Sequence, residues 1–335
     1  MDARGICKAA VIGGLWVCCA AAMAAERHVP AQYATIQAAI DAAVSGDTVL
    51  VAEGDYQEAI HFRGKNILVT STDWAHPEKT SLWLRGTGGS VVTFAGTEGQ
   101  GCALAGFRIH GGHSPDAGGA VRGNGASGNI VRCVFMNNAA QAAGGAIHGW
   151  AGLINGCTFK NNYATYGAAL AGCSGKIANC VFIDNRAPQG GALNNCDGLI
   201  VNCTFVANRG ISEGVIRACD GTIANSILWG NEGELFFDGT AVVSHCCFPG
   251  ATGSGNIDAE PLFVASGDYH LSAASPCLDA GTAEVPGGLT GLDADRLARV
   301  VDSDQDGAAA VDLGAYEFDP LGVQLQVGAS RIVLA

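Results

Sequence analysis

From about residue 126 to residue 248 the chain repeats a pattern of apolar and polar positions with a period near 23. One repeat, "KIANCVFIDNRAPQGGALNNC" (176–196), divides into three short runs: "KIANCVF", the run after the Asn, and "GGALNNC". Gly or Asn bounds each run, and no helix of useful length fits between them. Ile130, Ile154, Ile177, Ile200 and Ile223 form one apolar series, and Phe135, Phe159, Phe182 and Phe205 form another that Leu228 continues. Asn138, Asn162, Asn185, Asn208 and Asn231 keep the same phase, as do the Gly-Gly-Ala or Gly-Ala-Ala triplets ending at Ala120, Ala146, Ala169 and Ala192.

A period of this length with three strands per repeat predicts stacked coils, each pairing with the last at the strand spacing of about 4.8 Å. The expected fold is all-β, a right-handed parallel β-helix built as a single-stranded solenoid. In such a stack each position lies over its equivalent, so inward columns stay apolar and constant in size while outward positions drift. Turns call for residues that tolerate left-handed backbone, here Gly and Asn. Stacked Asn side chains are expected to hydrogen-bond along the axis, with Asn179, Asn202 and Asn225 as a second such ladder. A leucine-rich repeat, of similar period, is excluded by the absence of its Leu consensus.

The ends read differently. Residues 35–44, "TIQAAIDAAV", predict an amphipathic helix that caps the first coil, with Ile36 and Ile40 on one face. Strand-like runs "NILVTS", "SLWLR" and "SVVTF" then predict irregular early coils. The expected layout is a leader at 1–24, the β-helix with its cap at 25–248, an Asp/Gly-rich closing module at 249–319 and a tail at 320–335. The leader combines Arg4 and Lys8 with an apolar run and an Ala22-Met23-Ala24 cleavage pattern, ended by charged residues too early to span a bilayer. It predicts a secreted or cell-surface protein with no transmembrane segment in the mature chain.

Glycine is abundant, at 49 of 335 residues, without the triplet period of collagen. Only 15% of residues are charged and 48% are hydrophobic, which describes a packed chain. A net charge of −13 argues against nucleic acid as a partner and leaves room for cations. Fourteen cysteines are encoded, and eleven follow the leader. Cys133, Cys157, Cys180 and Cys203 step by 24, 23 and 23, and Cys173, Cys196 and Cys219 form a second series. They read as small buried hydrophobes. Disulfides between coils are the alternative, since the stacking distance permits them.

The motifs "FMNN", "FKNN", "FIDN", "FVAN" with "GGAV", "GGAI" and "GGAL" resemble the FxxN and GGA[ILV] repeats of the chlamydial polymorphic outer membrane protein family. The opening "YATIQAAIDAAVSGDTVLVAEGDYQE" is similar to the start of pectin-lyase-like proteins. The closing "GNIDAEPLF…GDYHLSAASPCLDAG…VDLGAYE" resembles the choice-of-anchor Q module of bacterial β-helix surface proteins. Together the resemblances imply an exported pectin-lyase-like β-helix. They leave activity open, because that fold hosts both enzymes and adhesins.

Three groupings carry candidate chemistry. "RIHGGHSPDAGGAVR" gathers Arg108, His110, His113, Asp116 and Arg122, which would serve a lyase that uses a basic residue beside a cation site. The residues two after each triplet's Ala position, Arg122, His148, Asn194 and Arg217 with Ala171 among them, are expected to point outward in one column and to bind glycan. "DSDQDG" presents Asp302, Asp304 and Asp306 at the spacing that suits Ca²⁺, a structural ion with Asp293 and Asp295 as further donors. Paired carboxylates of the glycosidase type are missing from the repeats. The expectation is a non-catalytic surface protein that binds a polysaccharide or cell-surface glycan, or acts as an adhesin or anchored module. The alternative is a pectate-lyase-like polysaccharide lyase, or another carbohydrate-active enzyme such as a glycoside hydrolase, acting on uronic-acid polymers.

Overall fold

The computed structural model describes residues 24–86 and 88–320. The expected leader, apart from Ala24, and the expected tail, apart from Pro320, lie outside the described residues. Among the described residues, eight coils each contribute one short strand to each of three parallel sheets, and the first sheet gains one further strand at each end, giving ten strands against eight and eight. In one coil Asn129–Val131 enters the first sheet, Val134–Met136 the second and Ile147–His148 the third. The chain is a parallel β-helix, as the repeat predicts.

The inward columns are those read from the sequence. Ile130, Ile154, Ile177, Ile200 and Ile223 pair in register along the first sheet and are buried. Phe135, Phe159, Phe182 and Phe205 stack along the second, with ring centroids 5.1, 4.9 and 4.4 Å apart. The early coils, though out of phase in sequence, join the same columns: Val69 pairs with Leu104 and Leu104 with Ile130. The helix α1 spans Ile36–Ala42 and buries Ile36, Ala39 and Ile40, with the Thr35 hydroxyl accepting from the Ala38 amide at 3.1 Å. A strand at Glu26–Val29, not foreseen, precedes it and pairs with Thr48–Val51.

The ladder at Asn138 forms as expected. The Asn162 side-chain oxygen accepts from both the amide and the side chain of Asn138 at 3.1 Å, and Asn185 and Asn208 serve the preceding coil likewise at 2.9–3.1 Å. The left-handed residue at this corner is the one before the ladder Asn: Asn137, Asn161, Asp184 and Ala207, with φ of 53–55°. The ladder Asn is therefore selected for its buried side chain, which satisfies backbone groups that face no water. At the corner before the third sheet the sequence needs glycine for space: a Cβ on Gly145 would stand 2.3 Å from the Ala168 carbonyl oxygen.

The second Asn column does not form a ladder. Asn179, Asn202 and Asn225 take left-handed backbone, and their side chains turn outward to hold the C-terminal segment. Asn179 donates to the Thr290 hydroxyl at 2.7 Å and the Leu292 carbonyl at 2.9 Å, Asn202 to the Asp312 carbonyl at 3.2 Å, and Asn225 to the Thr282 carbonyl at 2.8 Å. The segment folds back along the flank of the solenoid over the outer faces of the first and second sheets. There Val285 packs on Ala178, Val201 and Ala224, and Ala315 on Val181 and Ile183. All eleven cysteines after the expected leader are buried and unpaired. Column thiols rest on backbone carbonyls, as Cys180 does on Ala178 at 3.1 Å.

Candidate functional site

The third sheet is the face the flanking segment leaves open. Strands there are two residues long and alternate sides. Val121, Ile147, Leu170, Leu193 and Ile216 point into the core and are buried. Their partners His61, Thr93, Arg122, His148, Ala171, Asn194, Arg217 and Phe237 follow one another outside, one per coil, in unbroken register. The predicted binding column is thus a real geometric column.

Its charges are not bare. Arg122 pairs with Asp116 across the turn. Arg217 pairs with Glu213 at 2.5 Å, donates to the Asn194 side-chain oxygen at 3.1 Å and lies 6.0 Å over the Tyr166 ring. Gln189 donates to Glu213 at 3.2 Å. Burial, then the Arg122 cation, lowers the His148 pKa, so its imidazole is neutral at pH 7. Tyr163 and Tyr166, 50% and 37% exposed, form a ridge beside the column. Gln189 and Tyr166 escaped the sequence reading and Glu213 reads there only as an isolated acid, although their own phase links them: Tyr166 bridges to Gln189, and Gln189 pairs with Glu213.

The five residues of the first candidate cluster do not share one site. Arg108 and His110 lie on the outer face of the second sheet, where Arg108 donates to the Ser81 hydroxyl at 2.9 and 2.6 Å and His110 stacks on Trp83 at 5.8 Å. Gly111 and Gly118, both at φ 70°, then turn the chain around the corner. This turn carries Asp116 and Arg122 to the third sheet, with His113 exposed between the two faces. Proximity in sequence here spans a bend of the solenoid, which separates side chains that a helix or loop would have gathered.

The acidic motif is also rearranged. Carboxylate oxygens of Asp279, Asp302 and Asp304 lie within 4.8 Å of one another. Asp306 instead accepts from the Ala308 amide at 2.8 Å in a local turn. Oδ1 of Asp302 is enclosed without a partner. Asp293 accepts from the amides of Leu297 and Glu317 at 2.7 and 2.8 Å, and Asp295 accepts from His270 at 2.7 Å, so neither belongs to the group. Asp279 stands 23 residues before Asp302, outside any local motif window.

A separate cleft of about 910 Å³ opens between the outer face of the second sheet and the hairpin formed by Phe263–Ala265 and Asp268–Leu271. Among the described residues no helix is long and apolar enough to cross a membrane.

No protein-family model matches the chain, and no curated protein matches it. Among solved structures, the pectate lyase Pel9A aligns over 89% of this chain and 96% of its own, at 14% identity and a TM-score of 0.39. The PL6-family alginate lyase AlyGC aligns over 62% of this chain at 12% identity and a TM-score of 0.39, and the match spans 37% of that enzyme's length. At these values the likeness concerns the fold and carries no activity or site residue across.

Proposed function

We propose that the protein is an exported, non-catalytic β-helix that binds a polysaccharide or cell-surface glycan along the outer face of its third sheet. The observation that carries this reading is the unbroken column from His61 to Arg217, one outward side chain per coil. A glycan chain is itself a repeating polymer, and such a column offers it outward positions at a step of about 4.8 Å, with polar side chains on either side of the buried Ala171. Held by their carboxylate partners, Arg122 and Arg217 are preorganised hydrogen-bonding groups, and the tyrosine ridge supplies flat apolar surface for sugar rings. Likeness of the FxxN and GGA[ILV] repeats and of the closing segment to surface-protein modules supports a place outside the cytoplasm.

The lyase alternative needs a basic residue free to take a proton. Arg108 is committed to Ser81 and Arg122 to Asp116, on different sheets. The test is to pass a polysaccharide panel with Ca²⁺ over the immobilised chain while following the absorbance of unsaturated uronic products. Retention without absorbance, weakened by His148→Ala and Arg217→Ala, is the expected outcome. A rise in absorbance that Arg122→Ala removes would establish the lyase and overturn this reading.

We also propose a structural Ca²⁺ held by Asp279, Asp302 and Asp304. Three hard oxygen donors and an enclosed, unpartnered Asp302 oxygen suit that ion. Melting in Ca²⁺ against EDTA checks it: Tm should rise with Ca²⁺, and Asp279→Asn should remove the rise. Equal Tm in both buffers would sink it.

A further inference from the structure

The cleft between the second sheet and the flanking hairpin lies on a different face from the third-sheet column. It has walls of two kinds. One is a column on the second sheet, Lys160, Ile183, Val206 and Trp229, again one residue per coil. The other is the hairpin, where Phe263 packs edge-on against Tyr269 with ring centroids 5.4 Å apart and so fixes the aromatic wall. Exposed Asp184 and Glu260 also line the cleft, with the exposed Lys160. Burial, then the nearby Asp184 charge, raises the Tyr269 pKa, so its hydroxyl remains a donor at neutral pH.

We propose that this cleft binds a short stretch of an uncharged sugar chain. The volume falls in the range of about 300–1,000 Å³ that marks small-ligand sites, and the lining mixes polar and apolar surface in similar measure. Three features select the chemical class. Half-buried Trp229 and the apolar side chains beside it suit the C–H face of a sugar ring. Two carboxylates, an ammonium and a phenol hydroxyl suit its hydroxyls. Two acids against one base, on a chain of net charge −13, repel a uronate or sulfated polymer. The step of about 4.8 Å between wall positions again suits a polymer with a repeating unit. The hairpin belongs to the flanking segment, so this ligand would also fasten that segment to the solenoid.

Calorimetric titration of the whole chain with cellohexaose, xylohexaose, mannohexaose and chitohexaose, and with hexagalacturonate as the anionic control, tests the proposal. At least one neutral hexasaccharide should bind, and hexagalacturonate should not bind in the cleft. Asp184→Asn and Glu260→Gln should each weaken binding about tenfold. Asp184 sits at φ 53°, which Asn tolerates, so Asp184→Asn should keep the fold. Trp229→Phe should weaken binding less than Trp229→Ala, whose folding is checked by its melting curve. Arg217→Ala should leave this binding unchanged. The proposal is overturned if no neutral hexasaccharide binds at millimolar concentration. It is also overturned if binding survives Asp184→Asn and Glu260→Gln but is lost in Arg217→Ala, an outcome that would leave the third-sheet reading standing.

Discussion

The regular coils and the flanking segment of residues 258–318 are held together by opposite means. The coils bury columns of Ile, Phe, Leu and Cys, and nearly all their buried polar side chains are uncharged Asn, Ser or Thr. The flanking segment buries few large apolar side chains, but it encloses Asp293, Arg299, Asp312 and Glu317. Arg299 donates to Glu317 at 2.5 Å, to the Asn179 side-chain oxygen at 3.1 and 2.7 Å, and to the Ala315 carbonyl at 2.8 Å. Burial pushes the Glu317 carboxyl up to about 8 and Asp312 to about 6. Repetition stabilises the solenoid, where each coil is a template for the next. A non-repeating layer has no template, so directional bonds to particular residues fix its position.

The largest expected effect breaks that layer alone. Arg299→Met removes the donors that serve Glu317, the Asn179 side-chain oxygen and the Ala315 carbonyl, and leaves these buried acceptors unpaired at a cost of about 3–5 kcal/mol. Limited proteolysis should then release residues 258–318 while the solenoid still melts cooperatively. The double variant Arg299→Met/Glu317→Gln should recover only a small part of the loss, because the Asn179 and Ala315 oxygens stay unpaired. Loss of both regions together in the single variant would show that they form one folding unit. Asn185→Ala attacks the other side of the comparison. It removes one rung and strands the Asn162 amide and the Phe159 carbonyl, which the Asn185 side chain serves at 3.1 and 2.9 Å. A cost of about 2–3 kcal/mol in the main melting transition is expected. An unchanged Tm would show that the ladder is decorative.

Cys180→Ser should cost about 1 kcal/mol. Ser226 already occupies this column, accepting from the Cys203 amide at 3.1 Å and donating to the Ala224 carbonyl at 2.8 Å. A titration of thiols in the unfolded, unreduced chain should find every column cysteine free. A missing pair would restore the inter-coil disulfides.

The inward half of the fold was legible because a column constrains every coil alike: Ile154 and Phe159 announce their neighbours 23 residues on. The third-sheet column was legible for the same reason, by counting two places from each Ala. What the sequence hid was the covered outer surface. Ala178, Val201 and Ala224 are small or apolar on an outward face because Val285 lies on them. Drift was expected there, and the departure from it was the available signal. Asn179, Asn202 and Asn225 keep the period of a ladder yet act as anchors, since sequence phase records position in the coil and not what the side chain meets. Asp279 joins Asp302 only through the tertiary path of an irregular segment, which no local spacing encodes.

The smallest expected effect is set by pH at the hairpin. His270 bonds Asp295 at 2.7 Å and Asp268 at 2.5 Å, and its ring stacks on Tyr316 at 4.0 Å. These hydrogen bonds, Asp295 first, raise the His270 pKa to about 9 against a desolvation that lowers it. The folded value lies above the ordinary 6.5, so the stabilisation is complete below that pH and is lost as pH rises through about 9. The bond to His270 draws Asp268 the other way, below its ordinary 3.8, so its share is present above that value and fades in acid. The imidazole is 41% exposed, which limits the tether to about 1 kcal/mol or less. Amide protection in Asp268–Leu271, meaning exchange corrected for its base-catalysed intrinsic rate, should therefore be greatest between these limits and fall toward pH 9, with no matching loss of protection in the coils. His270→Gln should flatten that dependence. An equal loss of protection in the coils would mean that the two regions do not titrate apart, and the contrast between templated coils and pinned flank would fail at its finest scale.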